Sequence, residues 1–126
     1  MVPAPKKIMV IEDEPDTAEM IAEMMHVSGY QVIKMFSGGT AIPVISQEKP
    51  DAIILDVMMP DISGLEVLRF MRREPGLTLI PVIIVSAKSL PADIKDGLEA
   101  GACAYLTKPV GFYDLVKAVE KSFQKN

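Results

Sequence analysis

The chain has 126 residues, 49% of them hydrophobic, with a formal net charge of −4 at pH 7 and a single cysteine, Cys103. This length suits one domain over residues 1–126, because a chain of this size can bury a sizeable apolar core. The acidic balance argues against direct nucleic-acid binding, and no apolar run is long enough to span a membrane. One cysteine excludes an internal disulfide and a multi-cysteine metal site, so we expect a cytoplasmic domain.

Five short apolar runs predict five β-strands. The runs cover residues 7–11, 30–35, 52–56, 81–86 and 103–107. Three of them are almost continuously apolar, as strands covered on both faces by helices require. The run at 30–35 alternates between apolar and polar residues, which is typical of an edge strand. Cys103 opens the last run and is predicted to be a small buried hydrophobic residue.

Amphipathic patterns between these runs predict helices. In residues 17–27, Glu19, Glu23 and His26 share one helical face, so His26 is predicted to be a solvated surface histidine. The third helical segment has its apolar side chains inward and its arginines outward. These outward arginines are Arg69, Arg72 and Arg73.

The second helical segment contains a proline, Pro43. Because proline removes a backbone donor and clashes with the preceding turn, we expect this helix to begin late, near Ala41, or to be kinked.

Alternating strands and helices predict an α/β fold. It is a doubly wound, flavodoxin-like, five-stranded parallel sheet with helices on both faces. Right-handed crossovers and the common strand order 2-1-3-4-5 place the first and third strands side by side. Ligands of such sheets bind beyond the carboxyl ends of the strands, where the winding direction changes.

Polar residues follow these strand ends. Glu12 and Asp13 follow the first strand, Asp56 ends the third, Ser86 ends the fourth, and Lys108 follows the fifth. Three crowded carboxylates are destabilising unless a cation or a shared proton neutralises them. An all-oxygen donor set favours a hard ion such as Mg²⁺.

The opposing hydroxyl and ammonium groups point to a phosphoryl site. Ser86 can hydrogen-bond a phosphate oxygen, and Lys108 can place a positive charge beside it. Asp56 can act as the nucleophile, because carboxylates form aspartyl phosphates.

Four motifs together resemble the receiver domain of response regulators, over essentially the whole chain. They are "VIEDEP" with Glu12 and Asp13, "LDVMMPDISG" with Asp56, "IIVSA" with Ser86, and "YLTKP" with Tyr105 and Lys108. Each motif alone is weak, but one per strand end, in this order, is highly specific.

The resemblance implies a phosphoacceptor in two-component or phosphorelay signalling. Asp56 would take a phosphoryl group from the phosphohistidine of a sensor histidine kinase or histidine phosphotransfer protein. Asp13, Asp56 and the Met58 carbonyl would ligate Mg²⁺, with Glu12 acting mostly through water. The domain would not be a conventional enzyme, although it would assist its own phosphorylation and dephosphorylation.

The resemblance also implies a switch. Lys108 would bridge to the acyl phosphate, Ser86 would move to bond it, and Tyr105 would turn inward behind Ser86. The surface of the fourth helix, fifth strand and fifth helix would change and control a downstream protein or output domain of unknown identity. The Lys108–Pro109 peptide bond is cis in this family.

One residue departs from the commonest family pattern, and two others occupy positions that affect how fast the phosphoryl group is hydrolysed in this family. Glu12 stands where an aspartate is most frequent, so coordination through water is expected to shift. Met58 and Lys88 occupy positions that tune hydrolysis in this family, and bulky Met58 is predicted to slow attack by water. Tyr105 has an ordinary alternative as a packed aromatic residue on an edge strand.

Other classes of function remain as alternatives. The runner-up is a phosphorylation-independent docking module, although such variants typically lose an acceptor, metal ligand or lysine that this chain keeps. An aspartyl-phosphate phosphatase of the haloacid dehalogenase type needs a second aspartate where Met58 stands. A flavodoxin-like cofactor binder needs an anion-binding first loop, and "EDEPD" would repel the anion.

Overall fold

The computed structural model describes residues 4–124, which form a five-stranded parallel sheet with helices on both faces. The strands are β1 (Lys7–Ile11), β2 (Gln31–Met35), β3 (Ala52–Leu55), β4 (Val82–Ser86) and β5 (Ala104–Thr107). The helices are α1 (Pro15–Val27), α2 (Gly38–Glu48), α3 (Gly64–Arg73), α4 (Pro91–Glu99) and α5 (Phe112–Ser122). The strand order β2-β1-β3-β4-β5 confirms the predicted doubly wound fold.

The apolar runs divide their side chains between two cores. In β1, Met9 and Ile11 pack in the core that also holds residues of α2 and α3. Ile8 and Val10 pack on the opposite face, with residues of α1 and α5. Successive side chains of a strand point to opposite faces, so a strand covered on both sides needs an unbroken apolar run. Each fully buried aliphatic side chain contributes roughly 1.5–3 kcal/mol through burial.

The strand predictions are confirmed to within one residue at each end. The alternating second run forms β2, which among the described residues pairs with β1 alone and is an edge strand, as predicted.

Helix α2 begins at Gly38, so the prediction of a late start near Ala41 is wrong. Ser37 caps the helix, since its side chain accepts a hydrogen bond from the Thr40 N–H at 3.2 Å. The N–H groups of the first turn have partners outside the helix, and the Pro43 ring lies on the exposed face. The helix therefore tolerates the one backbone bond that proline removes.

The predictions of exposure or burial are wrong for Arg72 and Cys103, whereas Arg69 and Arg73 are exposed as predicted. Arg72 does not point outward; its half-buried guanidinium donates hydrogen bonds to the carbonyls of Thr78, Ile80 and Gly101. Cys103 is exposed and precedes β5. The buried position beside it belongs to Ala102, because neighbouring residues alternate between inside and outside. His26 is exposed, as predicted.

Arg72 can fold back because its aliphatic stem covers apolar surface while its planar head satisfies several carbonyls at once. It thereby joins the end of α3 to the turns that precede β4 and β5.

Among residues 4–124, none of the helices combines the length and apolar character needed to cross a bilayer. Strands β1 and β3 are direct neighbours, with Ile11 opposite Leu55 in register. Their carboxyl ends therefore open side by side at one edge of the sheet, where the winding direction changes.

Candidate functional site

Two buried carboxylates lie at the carboxyl ends of the two central strands. The Glu12 N–H donates to the Met35 carbonyl at 2.9 Å, and the Asp56 N–H donates to the Ile11 carbonyl at 3.0 Å. Each residue thus continues the sheet hydrogen bonding one step beyond its strand. Glu12 is 2% and Asp56 4% exposed, so rigid backbone holds both side chains at the rim.

Asp13 completes an acidic cluster with these two residues. One carboxylate oxygen from each of Glu12, Asp13 and Asp56 lies within 4.8 Å of the others. The cluster contains only oxygen donors, which is the donor set that Mg²⁺ prefers. The residues present therefore fit a hard divalent cation, and the prediction that these three side chains lie together agrees with the observed geometry.

Lys108 lies against the same cluster from the β5 side. Its Nζ donates to Glu12 Oε1 at 2.7 Å and to Asp56 Oδ2 at 3.1 Å. Burial alone would lower the pKa of Lys108, but its hydrogen bonds to Glu12 and Asp56 outweigh burial and raise the pKa. The ammonium group is therefore firmly charged and offsets part of the negative charge of the cluster.

Glu12 is held through both of its carboxylate oxygens. Oε1 accepts from Lys108, and Oε2 accepts from the Glu14 N–H at 3.1 Å. Burial raises the pKa of Glu12, the hydrogen bond from Lys108 opposes that rise, and the neighbouring charge of Asp56 adds to it. The longer side chain of Glu12 is thus engaged with protein donors at the edge of the cluster.

The Asp56 carboxylate is oriented by the loop that follows it. Its Oδ1 accepts from the Met58 N–H at 3.1 Å, while Oδ2 faces Lys108. The Met58 side chain is 52% exposed and helps to line a crevice of about 460 Å³ at the mouth of the site. Asp13 and Lys88 line other parts of this crevice, which therefore lies beside the acidic cluster.

Ser86 and Tyr105 form an adjoining group around the backbone of Lys88. Ser86 is fully buried, and its Oγ accepts from the Lys88 N–H at 3.2 Å. The Tyr105 hydroxyl donates to the Lys88 carbonyl at 2.8 Å. Burial raises the pKa of Tyr105. The two predicted switch residues are therefore linked through one short segment after β4.

The Tyr105 ring packs against a gap in α4. A Cβ added at Gly97 would lie 2.7 Å from Tyr105 Cδ2 and 2.8 Å from Ile84 Cδ1. Only glycine lets α4 approach the ring this closely, so the position of Tyr105 is coupled directly to that of α4.

Glu12, Asp13, Asp56 and Lys108 thus lie in one contact set, and Ser86 and Tyr105 lie in a neighbouring one. The backbone joins the two sets directly, since the Lys108 N–H donates to the Ser86 carbonyl at 2.9 Å. The Lys108–Pro109 peptide bond is cis, as the family resemblance implied.

Sequence reasoning missed Asp61. Its carboxylate accepts hydrogen bonds from the N–H groups of Gly38 and Gly39, at the start of α2. The only sequence signals are an acidic residue after Pro60 and a glycine pair after Ser37, and neither signal indicates that the two segments meet.

The fold and the site together define a doubly wound α/β domain in which a carboxylate cluster that could hold a cation lies beside a lysine at the strand ends. The chain matches the family described as Response regulator receiver domain over residues 8–120. It therefore belongs to the response regulator receiver domain family.

Individual relatives agree with this assignment. The chain is 34% identical over 113 residues to Protein PilH of Pseudomonas aeruginosa, covering 90% of this chain and 93% of PilH. It is 35% identical over 119 residues to the transcriptional regulatory protein KdpE of Mycobacterium tuberculosis, covering 94% of this chain and 51% of KdpE. The chain thus spans about half the length of KdpE and also of TcrX and MtrA.

A solved structure of the same kind superposes closely. It is the signal receiver domain of a signal transduction histidine kinase from Syntrophus aciditrophicus, with a TM-score of 0.85 and 34% identity. The match covers 93% of this chain and 89% of that one.

Family membership makes the chain a receiver domain of two-component signalling. Such domains are generally non-enzymatic signalling modules that interact with histidine kinases or phosphotransfer proteins. The family typically binds Mg²⁺, and the acidic cluster is where this chain could hold it.

Proposed function

We propose that Asp56 accepts a phosphoryl group from the phosphohistidine of a sensor histidine kinase or a histidine phosphotransfer protein. One observation carries the proposal: a buried carboxylate at a strand end contacts Lys108 at 3.1 Å and belongs to a cluster of carboxylate oxygens that could hold a metal ion. Phosphoryl transfer requires positive charge close to the nucleophile, and here a lysine and a group of potential metal ligands flank Asp56.

The transfer step follows from the groups present. An oxygen of ionised Asp56 forms a bond to phosphorus while the phosphorus–nitrogen bond of phosphohistidine breaks. The bonding electron pair returns to the imidazole nitrogen, and the carboxylate has no proton to lose. Asp56 already lies with one oxygen fixed by the Met58 N–H, so little reorganisation is needed before attack.

Asp13, Asp56 and the Met58 carbonyl would hold Mg²⁺ at this site. When bound, the ion supplies positive charge that neutralises phosphoryl oxygens. Glu12 would contribute mainly through water, because both of its oxygens already accept hydrogen bonds from Lys108 and Glu14.

Lys108 would bind the phosphoryl group once it is on Asp56. Its ammonium is shared between Glu12 and Asp56, so a phosphoryl group on Asp56 offers it a stronger, doubly charged partner. Ser86 would then bond a phosphoryl oxygen and give up its bond from the Lys88 N–H. That segment also holds the Tyr105 hydroxyl, so its movement would release Tyr105 to turn inward.

Tyr105 would carry this change to the surface formed by α4, β5 and α5, because its ring packs against Gly97 of α4. The surface would control a downstream protein or an output domain. Phosphorylation thus biases a two-state element through a local change of charge.

Labelling by a small acyl phosphate in the presence of Mg²⁺, measured by intact-protein mass spectrometry, tests the proposal. Wild type is expected to gain one phosphoryl group and Asp56→Asn none. Asp51→Asn is the matched control, since Asp51 lies before the same strand and bonds the Lys7 N–H at 2.7 Å. Labelling of Asp56→Asn would refute Asp56 as the acceptor, and unlabelled wild type would favour the phosphorylation-independent docking module.

A further inference from the structure

The loop after the acceptor, residues 57–63, is fixed at its base. The Gly64 N–H donates to the Val57 carbonyl at 2.9 Å, and Ser63 Oγ lies 3.4 Å from the same carbonyl. A Cβ on Gly64 would lie 2.2 Å from the Asp56 carbonyl oxygen. The start of α3 therefore presses directly on the backbone of the acceptor, and the two ends of the loop are held together.

The tip of the loop is tied to a different helix. Asp61 Oδ2 accepts from the Gly39 N–H at 2.8 Å, and Oδ1 accepts from the Gly38 N–H at 3.3 Å. These are the first two residues of α2, whose N–H groups have no partner within the helix. The positive end of the helix dipole favours the negative charge of Asp61 as well.

The two segments are shaped to meet. A Cβ at Gly39 would lie 3.0 Å from Asp61 Oδ2, and a Cβ at Gly38 would lie 3.1 Å from the Ile62 carbonyl oxygen. Glycine at both positions leaves room for the loop. Backbone N–H groups, that of Gly39 foremost, lower the pKa of Asp61, so its carboxylate is ionised at neutral pH and accepts through both oxygens.

Helix α2 also has a separate cap. The Ser37 side chain accepts from the Thr40 N–H at 3.2 Å, and its Oγ lies 2.6 Å from Thr40 Oγ1. The helix can therefore begin without Asp61, whereas the loop tip receives two hydrogen bonds from α2 through the Asp61 carboxylate. Removal of the Asp61 carboxylate should therefore disturb the position of the loop more than the formation of α2.

We infer that Asp61 is a positioning residue that sets the affinity of the site for a divalent metal by holding the acceptor loop against α2. The inference rests on the proposed function, in which the Met58 carbonyl is a metal ligand. A backbone carbonyl has no side-chain torsion to adjust, so its direction depends on the loop alone. Only Met59 and Pro60 separate it from Asp61, and the fixed φ of proline stiffens that connection.

Titration with MgCl₂, followed by amide chemical shifts, tests the inference, since the chain has no tryptophan to report by fluorescence. The proteins are wild type, Asp61→Ala, Asp61→Asn and Ser37→Ala, all well below their unfolding temperatures. Asp61→Ala is expected to bind Mg²⁺ roughly tenfold more weakly than wild type, the size typical of lost support for a metal ligand. Asp61→Asn keeps one acceptor oxygen and should fall between them.

Ser37→Ala separates positioning from stability. The Ser37→Ala substitution weakens the same end of α2 without altering a residue of the loop. The Mg²⁺ affinity of this variant should therefore stay within about twofold of wild type, even if its unfolding midpoint falls by as much as that of Asp61→Ala. Wild-type affinity in Asp61→Ala, or an equal loss in Ser37→Ala, would overturn the inference and leave the proposed function standing. Wild type that binds no Mg²⁺ would overturn both.

Discussion

Lys108 contacts two of the three carboxylates of the acidic cluster. In the unphosphorylated protein its ammonium lies between Glu12 and Asp56, 96 and 52 residues away in the chain. It neutralises part of a cluster that would otherwise repel itself, so the same cation stabilises the resting site and is available to a phosphoryl group.

Replacing Lys108 with alanine should separate labelling from signalling. We expect Lys108→Ala to be phosphorylated at most about tenfold more slowly than wild type, a barrier change of about 1.4 kcal/mol. Its Ser86 and Tyr105 amide shifts should no longer respond to a phosphoryl mimic such as beryllium fluoride, because the ammonium that reads the phosphoryl oxygens is missing.

Lys7→Ala is the matched control, since this lysine pairs with Glu48 at 2.9 Å and lies at the start of β1, at the opposite end of the sheet. A full wild-type response of Ser86 and Tyr105 in Lys108→Ala would contradict the assigned role.

The stability that Asp61 contributes should depend on pH. Its folded-state pKa lies below the usual 3.8, with the Gly39 N–H as the largest cause. A lowered pKa contributes stability that is present above the unfolded-state value and is lost as pH falls through the folded-state value. Asp61→Asn should therefore be less stable than wild type at pH 7, and the gap should narrow below pH 3.8.

Urea denaturation of the two proteins between neutral and acid pH measures this gap. A difference in midpoint that is constant across the range would show that ionised Asp61 has no special role.

At the scale of elements, the strands follow from local sequence and the helix ends do not. The apolar runs of β1, β3 and β4 are readable because each strand fills two cores. The start of α2 is only partly predictable: its Ser37 cap is a local signal, but the partners of the Gly38 and Gly39 N–H groups come from Asp61, which is distant in sequence. The inward position of Arg72 could not be predicted either, because its three carbonyl partners lie in turns that the whole fold brings together.

Gly64 gives the sharpest prediction for an element. Its substitution by alanine would put a Cβ 2.2 Å from the Asp56 carbonyl oxygen, so α3 or the acceptor must move. We expect Gly64→Ala to lower the free energy of unfolding by ~3 kcal/mol, as for overpacking of a closed site. Urea denaturation gives that loss directly.

Gly111→Ala controls for the loss of a glycine itself. Its φ is −85°, and an added Cβ would lie 3.7 Å from its nearest neighbour, Asp114 Oδ2. This variant should lose little stability; equal losses for both variants would refute the steric account of Gly64.

For the molecule as a whole, topology makes the site predictable. Once strand order is known, Glu12, Asp56, Ser86 and Lys108 must gather at one edge, because parallel strands end at the same side of a sheet. The hydrogen-bond partners within that edge cannot be derived this way. Side-chain packing over several elements decides that Lys108 donates a hydrogen bond to Glu12 and that the Tyr105 hydroxyl donates to the Lys88 carbonyl.

If the acidic cluster holds a divalent ion beside the acceptor, as we claim, the rate of Asp56 phosphorylation must depend on Mg²⁺ concentration, and a measurement of that rate decides the question. In wild type the phosphorylation rate should rise with Mg²⁺ concentration and level off. It should do so over the same concentrations at which the amide chemical shifts show that Mg²⁺ binding saturates. Asp13→Ala, which removes one carboxylate of the cluster, should shift both curves together to much higher concentration. A wild-type rate that does not depend on Mg²⁺, or an Asp13→Ala protein with unchanged curves, would contradict the claim.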